Sequence, residues 1–173
     1  MHRYAPLALA TLLVSAPAAL SAQQPSKLID AAGVKGGLVV HVGSADGALT
    51  AGLRVDDCFL VQGLAADADT AAAAAEKAAS GGAYGAVSVT TWDGKHLPYV
   101  DGLVNLLVVS NAGDITAAEI KRALAPKGAA LIADGQKIAG LKTAAAAGCA
   151  GWTVYRKPWP TAIDEWTHYL HDQ

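Results

Sequence analysis

Cysteine is scarce in this sequence of 173 residues, which contains only Cys58 and Cys149. The two cysteines form no repeated spacing pattern, which excludes a small scaffold held together by several disulfides. Cys58 lies at the edge of a predicted buried strand, and Cys149 lies in a loop rich in glycine and alanine. We therefore expect two buried free thiols, with a disulfide between them as the alternative. A chain of this length can bury a sufficient core without disulfides or metal.

An excess of either charge is also missing. The sequence contains 13 lysines and arginines against 15 aspartates and glutamates, which gives a formal net charge of -2. No block of basic residues stands out along the chain. Because proteins that bind nucleic acid usually carry a basic patch or stripe, we expect no nucleic-acid partner.

The sequence has no uninterrupted hydrophobic run long enough for a membrane anchor. Residues 5–20 are apolar, but Pro6 and Pro17 interrupt them, and a spanning helix needs about 20 apolar residues. The run follows a basic start and leads into small residues up to Ala22. This pattern predicts a secretory signal over residues 1–22. We expect an exported protein, periplasmic or extracellular, with no stable membrane anchor after cleavage.

Strand and helix patterns alternate along the rest of the chain. The strand runs are apolar without strict alternation, as in parallel strands that are covered on both sides. The predicted fold class is therefore α/β: one Rossmann-like, doubly wound, mainly parallel sheet with helices on both faces, over residues 26–156. Strands are predicted at 37–43, 58–65, 85–92, 103–111, 127–134 and 152–157, and helices near 26–33, 46–55, 67–80, 114–126 and 137–148. Ser26 is the predicted cap of the first helix, and Asp114 or Thr116 that of the fourth.

The segment LVVHVGSADGALT, residues 38–50, predicts a strand, a glycine turn and a helix. In a doubly wound sheet this turn lies where ligands bind, beyond the carboxyl end of the first strand. Gly43 and Gly47 suit a tight turn, whereas Ala45 adds a methyl group between them. The spacing does not match the G-x-G-x-x-G pattern of dinucleotide sites, and a plain structural turn remains the alternative. Ser44 is not in a G-x-S-x-G motif, so no nucleophile is predicted there.

Four segments, taken in order, resemble the motifs of class I S-adenosylmethionine (SAM)-dependent methyltransferases. The resemblance covers about residues 26–134 and is carried by VVHVGSADGALT, WDGKHLPY, LVNLLVVSN and LAPKGAALI. It implies a SAM site built by six residues: Gly43, Ser44, Asp46, Gly47, Trp92 and Asp93. In this interpretation Trp92 stacks on adenine and Asp93 accepts its amine. The structural alternative is that Trp92 covers the sheet edge and Asp93 belongs to a turn.

The sequence departs from the family at the positions that grip the cofactor. His41 stands where active relatives carry an acid before the glycine loop, and Ala65 stands where an acid accepts both ribose hydroxyls. Asp67 could replace that acid only if its loop shifts. Asn105 replaces an aspartate that is mainly structural in the family. The resemblance therefore implies a degenerate site in which SAM binding is weakened or lost, and no catalytic residue is assigned. A buried histidine is more often structural than catalytic, and we expect this of His41.

The tail KPWPTAIDEWTHYLHD, within residues 157–173, resembles the junction between a methyltransferase-like domain and a pyrroloquinoline-quinone-type β-propeller in large secreted bacterial proteins. The resemblance implies a truncated chain and a propeller partner, as a following domain or a separate chain. Asp164, His168 and either His171 or Asp172 could share a helix face and ligate zinc, but this pattern is too sparse, and no metal site is predicted.

Two hypotheses for the function follow. The first is a degenerate methyltransferase-like module of an exported protein, with a structural or ligand-binding role and little or no catalysis. The second is an active SAM-dependent methyltransferase of unknown substrate.

Overall fold

The computed structural model describes residues 25–45, 47–80 and 85–161, in which helices and strands alternate along most of the chain. The helices are α1 (Pro25–Ala32), α2 (Ala48–Gly52), α3 (Ala68–Ser80) and α4 (Ala117–Ala123). The strands are β1 (Gly37–Val42), β2 (Phe59–Ala65), β3 (Val87–Thr91), β4 (Val104–Val109), β5 (Leu124–Ala133), β6 (Ala144–Ala145) and β7 (Trp152–Arg156).

The seven strands form one sheet in the order β3-β2-β1-β4-β5-β7-β6. Strands β1 to β5 are parallel, and β7 runs antiparallel to both β5 and β6. The chain builds outward from β1 to β3 and then crosses back to β4, so the strand order reverses between β1 and β4. In doubly wound sheets, ligands bind in a crevice beyond the carboxyl ends of the strands at such a reversal. The predicted fold class is confirmed.

Helices cover both faces of the sheet, but unequally. The first face is packed by α1, α2 and α3, and its core combines α1 residues such as Leu28 with Val39, Val61 and Leu106 of the strands. Valine and leucine without polar alternation suit strands that are buried on both sides. The alanine-rich α3 lies close to β3, because small side chains allow a close approach.

The second face carries one described helix, α4, and two irregular segments. Its core joins Val40, Leu107 and Ile120 with Leu97 from the β3–β4 connection. Thr116 begins α4 as its N-cap, accepting a hydrogen bond from the Glu119 amide at 3.2 Å. This confirms one of the two predicted caps. The helix ends before Pro126 because extended backbone is favoured ahead of a proline.

Three predictions from the sequence are wrong. Residues 137–148 form no helix. The segment is irregular apart from the two-residue β6, and Gly140 adopts φ +80° within it. Alanine favours helix, but these alanines are mostly exposed and give no apolar face to pack. Ser26, expected as a cap, is the second residue of α1. Cys58 is exposed rather than buried, because it lies before β2 begins.

The predicted signal over residues 1–22 and most of the tail, from residue 162 onward, lie outside the described residues. Within the described ranges, no helix has the length and apolar character needed to cross a membrane.

Candidate functional site

A cavity of about 190 Å³ lies at the carboxyl ends of β1 and β2, close to the reversal of strand order. We call it the strand-tip cavity. Three of the six predicted cofactor residues, Gly43, Trp92 and Asp93, line it. Ser44 and Gly47 are not among its lining residues, and Asp46 lies outside the described residues. Its lining consists of Gly43, Leu64, Ala66, Trp92, Asp93, Gly94, Asn111 and Gly113.

The backbone of the glycine loop is bonded to the strand beside it. The amides of Gly43 and Ser44 both donate to the carbonyl oxygen of Leu64, each at 3.0 Å. A Cβ atom added at Gly43 would lie 2.7 Å from the backbone nitrogen of Asn111. Glycine at this position is therefore required by the contact between the ends of β1 and β4. These two amides point toward the protein rather than toward a ligand.

Gly47 is also explained by packing within the protein. It precedes α2 with φ +72°, a conformation that glycine adopts without cost. A Cβ atom added there would lie 2.8 Å from the Cα atom of Ala74 in α3. The second glycine of the loop therefore lets α2 begin against α3.

Beneath the loop lies a chain of hydrogen bonds, which we call the His41 network: Ser44, Thr50, His41 and Ser110. His41 Nδ1 lies 2.8 Å from Thr50 Oγ1, and His41 Nε2 lies 2.8 Å from Ser110 Oγ. Thr50 Oγ1 in turn lies 2.7 Å from Ser44 Oγ. Ser44, Thr50 and His41 are buried, at most 3% exposed. The Ser44 side chain is thus used inside the fold.

The end of β2 offers no acid to the cavity in this structure. Ala65 is fully buried, and its carbonyl accepts the Trp92 amide at 2.9 Å. Asp67, two residues on, begins α3: its Oδ1 accepts the Thr70 amide and its Oδ2 accepts the Thr70 hydroxyl, both at 2.8 Å. These bonds lower the pKa of Asp67. Both of its oxygens are committed to the start of the helix.

Trp92 and Asp93 lie together in a turn that is bonded to itself. Asp93 Oδ1 accepts the amides of Lys95 and His96, each at 2.8 Å, and Oδ2 lies 3.0 Å from His96 Nδ1. The amide bonds, led by that of His96, lower the pKa of Asp93 to about 2. Trp92 Nε1 donates to the His96 carbonyl at 2.7 Å. The turn therefore uses the Asp93 carboxylate, which the resemblance assigned to the adenine amine.

A larger and more open groove of about 730 Å³ lies next to this turn, beside α4. It is bordered by the Arg122 network, which consists of Arg122, Glu119, Asp101 and the carbonyls of Leu97 and Tyr99. All five N–H groups of the guanidinium are used: two to Glu119, one to Asp101 and one to each carbonyl. The bonds from Arg122 lower the pKa of Glu119, which also accepts the Leu97 amide at 2.8 Å. This network anchors the β3–β4 connection to α4.

Neither metal chemistry nor a disulfide is supported in the part of the chain that the structure describes. No group of three or more histidine, cysteine or acidic side chains could hold a metal ion there, and the zinc alternative at residues 164–171 lies outside it. Cys58 and Cys149 are both free. Nearby Asp56 raises the pKa of Cys58, and burial raises that of Cys149, so neither is an activated thiol.

Sequence reasoning missed both hydrogen-bond partners of His41 and the whole of the Arg122 network. Thr50 and Ser110, which bond to His41, carry no local signal, because the sheet brings Ser110 to His41 from 69 positions away. The Arg122 network did carry a signal. Glu119 and Arg122 are spaced to meet on one helix face, and Glu119 stands three residues after a capping threonine.

Solved structures with the same architecture include methyltransferases and a cyclase. A candidate S-adenosyl-L-methionine-dependent methyltransferase from Methanococcus maripaludis matches with a TM-score of 0.63 at 16% identity, over 80% of this chain and 85% of that one. Geranyl diphosphate C-methyltransferase from Streptomyces coelicolor A3(2), bound to S-adenosyl-L-homocysteine, matches with a TM-score of 0.56 at 18% identity. The match covers 63% of this chain and 44% of that one. The [4+2]-cyclase SpnF matches with a TM-score of 0.57 at 20% identity, over 67% of this chain and 46% of that one.

No protein-family model and no curated protein sequence matches this chain. The chain spans less than half the length of the geranyl diphosphate methyltransferase and of SpnF. Similarity at 20% identity or less shows only the fold, and the chain has the class I methyltransferase fold. Since one of these neighbours is a cyclase, the fold by itself does not name a reaction.

Proposed function

We propose that this chain is a methyltransferase-like module that no longer holds SAM tightly and has a structural or ligand-binding role with little or no catalysis. The observation that carries the proposal is the end of β2. Ala65 is buried there, and both carboxylate oxygens of Asp67 bond to Thr70. Ala65 therefore offers no carboxylate to a ribose at the strand tips, and that of Asp67 is bonded to the start of α3. Losing a charged, two-bonded acceptor costs about 1.5–3 kcal/mol, or roughly ten- to a few hundredfold in affinity.

The loop supports the same proposal. The amides of Gly43 and Ser44 donate to the Leu64 carbonyl, and the side chain of Ser44 is hydrogen-bonded within the His41 network. The strand-tip cavity, at about 190 Å³, is smaller than the roughly 300–1,000 Å³ of pockets that enclose a drug-sized ligand. The Asp93 carboxylate and the Trp92 N–H group form hydrogen bonds within their own turn. The residues present therefore fit SAM poorly, and we derive no methyl-transfer step.

Titration calorimetry with SAM and with S-adenosyl-L-homocysteine tests the proposal. We expect no binding up to about 1 mM, and a Kd below about 100 μM would favour an active methyltransferase. Ala65→Asp restores an acid at the end of β2 and is expected to raise affinity at least about tenfold. Ala72→Asp, on the exposed face of α3 and outside the cavity lining, is the matched control and should not. If Ala65→Asp brings no gain, the inward amides of the loop account for the loss.

We further propose that residues 1–22 direct export and that residues 157–173 join a β-propeller partner. Both rest on the sequence pattern and on the resemblance described above. An exported domain would also be separated from SAM, which is made in the cytoplasm. N-terminal sequencing of the mature protein should begin at Gln23, and an uncleaved start would contradict export by this signal. DNA beyond the Gln173 codon should encode propeller repeats, or a neighbouring gene should.

A further inference from the structure

His41 is bonded to both sides of the strand-order reversal. Its Nδ1 reaches Thr50 in the first turn of α2, and its Nε2 reaches Ser110 directly after β4. Thr50 continues the chain of bonds to Ser44 in the glycine loop. One imidazole therefore links β1, the loop with its helix, and the end of β4. Such chains of bonds are worth more than isolated pairs, and a buried member left without its partner is costly.

A serine bonded to an imidazole also suits a nucleophile and its base. Acyl chemistry, however, needs free donors for the developing oxyanion. The Ser110 amide donates to the Val42 carbonyl at 2.9 Å, and the amides of Gly43 and Ser44 donate to Leu64. The donors nearest the serine are therefore already used. The geometry favours a positioning role over a catalytic one.

We propose that His41 is a positioning residue that holds the glycine loop against β2 without any ligand. Ser44 is the point of attachment. A Cβ atom added at Gly63 of β2 would lie 3.0 Å from Ser44 Oγ, so the serine sits directly on that strand. With Ser44 held by Thr50, and Thr50 held by His41, the amides of residues 43 and 44 stay directed at Leu64. The inference concerns the conformation of the loop and holds whether or not the strand-tip cavity binds an adenosyl ligand.

Amide hydrogen exchange on the full chain, followed by NMR, tests the proposal. Thr50→Val keeps the shape of the side chain and removes only the hydroxyl that joins His41 to Ser44. We expect the amides of Gly43 and Ser44 to exchange at least about tenfold faster, relative to amides of β4 and β5. The matched control is Tyr99→Phe, which removes one hydroxyl bond, 2.9 Å to Gln62 Oε1, on the second face. It should leave the loop unchanged.

Two further variants test the bonds of the two imidazole nitrogens separately. An asparagine amide reaches about as far as Nδ1, and a glutamine amide about as far as Nε2. His41→Asn should therefore protect Gly43 and Ser44 better than His41→Gln. If either variant does not fold, Thr50→Val decides the question. The proposal is overturned if Thr50→Val leaves loop exchange unchanged, or changes it only in step with β4 and β5.

Discussion

The two polar networks of this molecule hold loops in opposite ways. The His41 network consists of hydroxyl groups and one imidazole and is almost entirely buried, and it fixes the glycine loop at the strand tips. The Arg122 network is charged and partly exposed, with side-chain exposures of 31% for Arg122 and 14% for Glu119. It fixes the β3–β4 connection on the second face. Hydroxyl and imidazole groups can be buried at modest cost when bonded, whereas buried charges cost more, so the charged network stays near solvent.

The difference bears on function. A loop that is held from inside by buried hydroxyl and imidazole groups needs no bound ligand to keep its shape, and its amides are already used. The connection beside α4 is held from its outer side, and water and salt can reach its bonds. If this comparison is correct, substitutions at the strand tips should act through packing and buried bonds, while those near Arg122 should depend on salt and pH.

The largest effect is expected for Gly47→Ala. The added methyl group would press on the backbone of Ala74, and alanine is strained at φ +72°. Together these should lower the free energy of unfolding by about 3 kcal/mol. The matched control is Gly94→Ala, also at positive φ but with nothing within 4 Å of the new methyl group, where only the backbone cost of about 1 kcal/mol remains. Equal losses in urea unfolding would contradict the close packing at the strand tips.

Arg122→Met should give the next largest loss, about 2 kcal/mol. Methionine keeps most of the stem but removes all five donors, leaving Glu119 and the carbonyls of Leu97 and Tyr99 without them. Because charged bonds near solvent are screened, the difference from wild type should shrink at about 1 M salt. Thr50→Val, measured in the same way, should show no such shrinkage. A salt-independent loss at Arg122 would remove the contrast between the networks.

Thr116→Ala should cost about 1 kcal/mol, because it removes the N-cap of α4. The helix carries both Glu119 and Arg122, so the exchange of amides in the β3–β4 connection should also increase. The control is Thr143→Ala, an exposed threonine in an irregular segment. If the two variants are equally stable in thermal unfolding, the cap contributes nothing.

Acid should weaken the second face by the smallest amount, since its carboxylates are partly or largely exposed. Arg122 holds the pKa of Glu119 below its usual value, and the His96 and Lys95 amides hold that of Asp93 at about 2. A pKa depressed by folding gives stability that is present above the unfolded value, near pH 4, and lost as pH falls toward the folded value. Unfolding measured from about pH 7 to about pH 2.5 should follow this course. Glu119→Gln and Asp93→Asn should flatten it, and an unchanged slope in both would contradict the assignment.

Much of the fold could be predicted from the sequence, because buried parallel strands are continuous apolar runs. The runs around β1, β2, β4 and β5 follow this rule, and glycine at position 43 marks the end of the first. The prediction of a helix over residues 137–148 was wrong, because alanine supplies helix propensity without an apolar face to pack. Tertiary packing decides such segments.

The site was less predictable for a different reason. The sequence indicates Gly43, Trp92 and Asp93 near one cavity, and the structure brings these three together. The sequence cannot show that an amide or a carboxylate is already bonded within the protein. Asp67 and Asp93 look available in the sequence but bond to their own turns. His41 was expected to be structural, yet its partner Ser110 becomes visible only through the pairing of β1 with β4.

The central claim is that the strand tips do not hold an adenosyl ligand, and an NMR titration with S-adenosyl-L-homocysteine tests it most directly. The signals to follow are the amides of Gly43, Ala66, Trp92 and Asn111, which surround the strand-tip cavity. We predict no shift of these signals up to about 1 mM ligand. Saturable shifts at these residues with a Kd below about 100 μM would contradict the account.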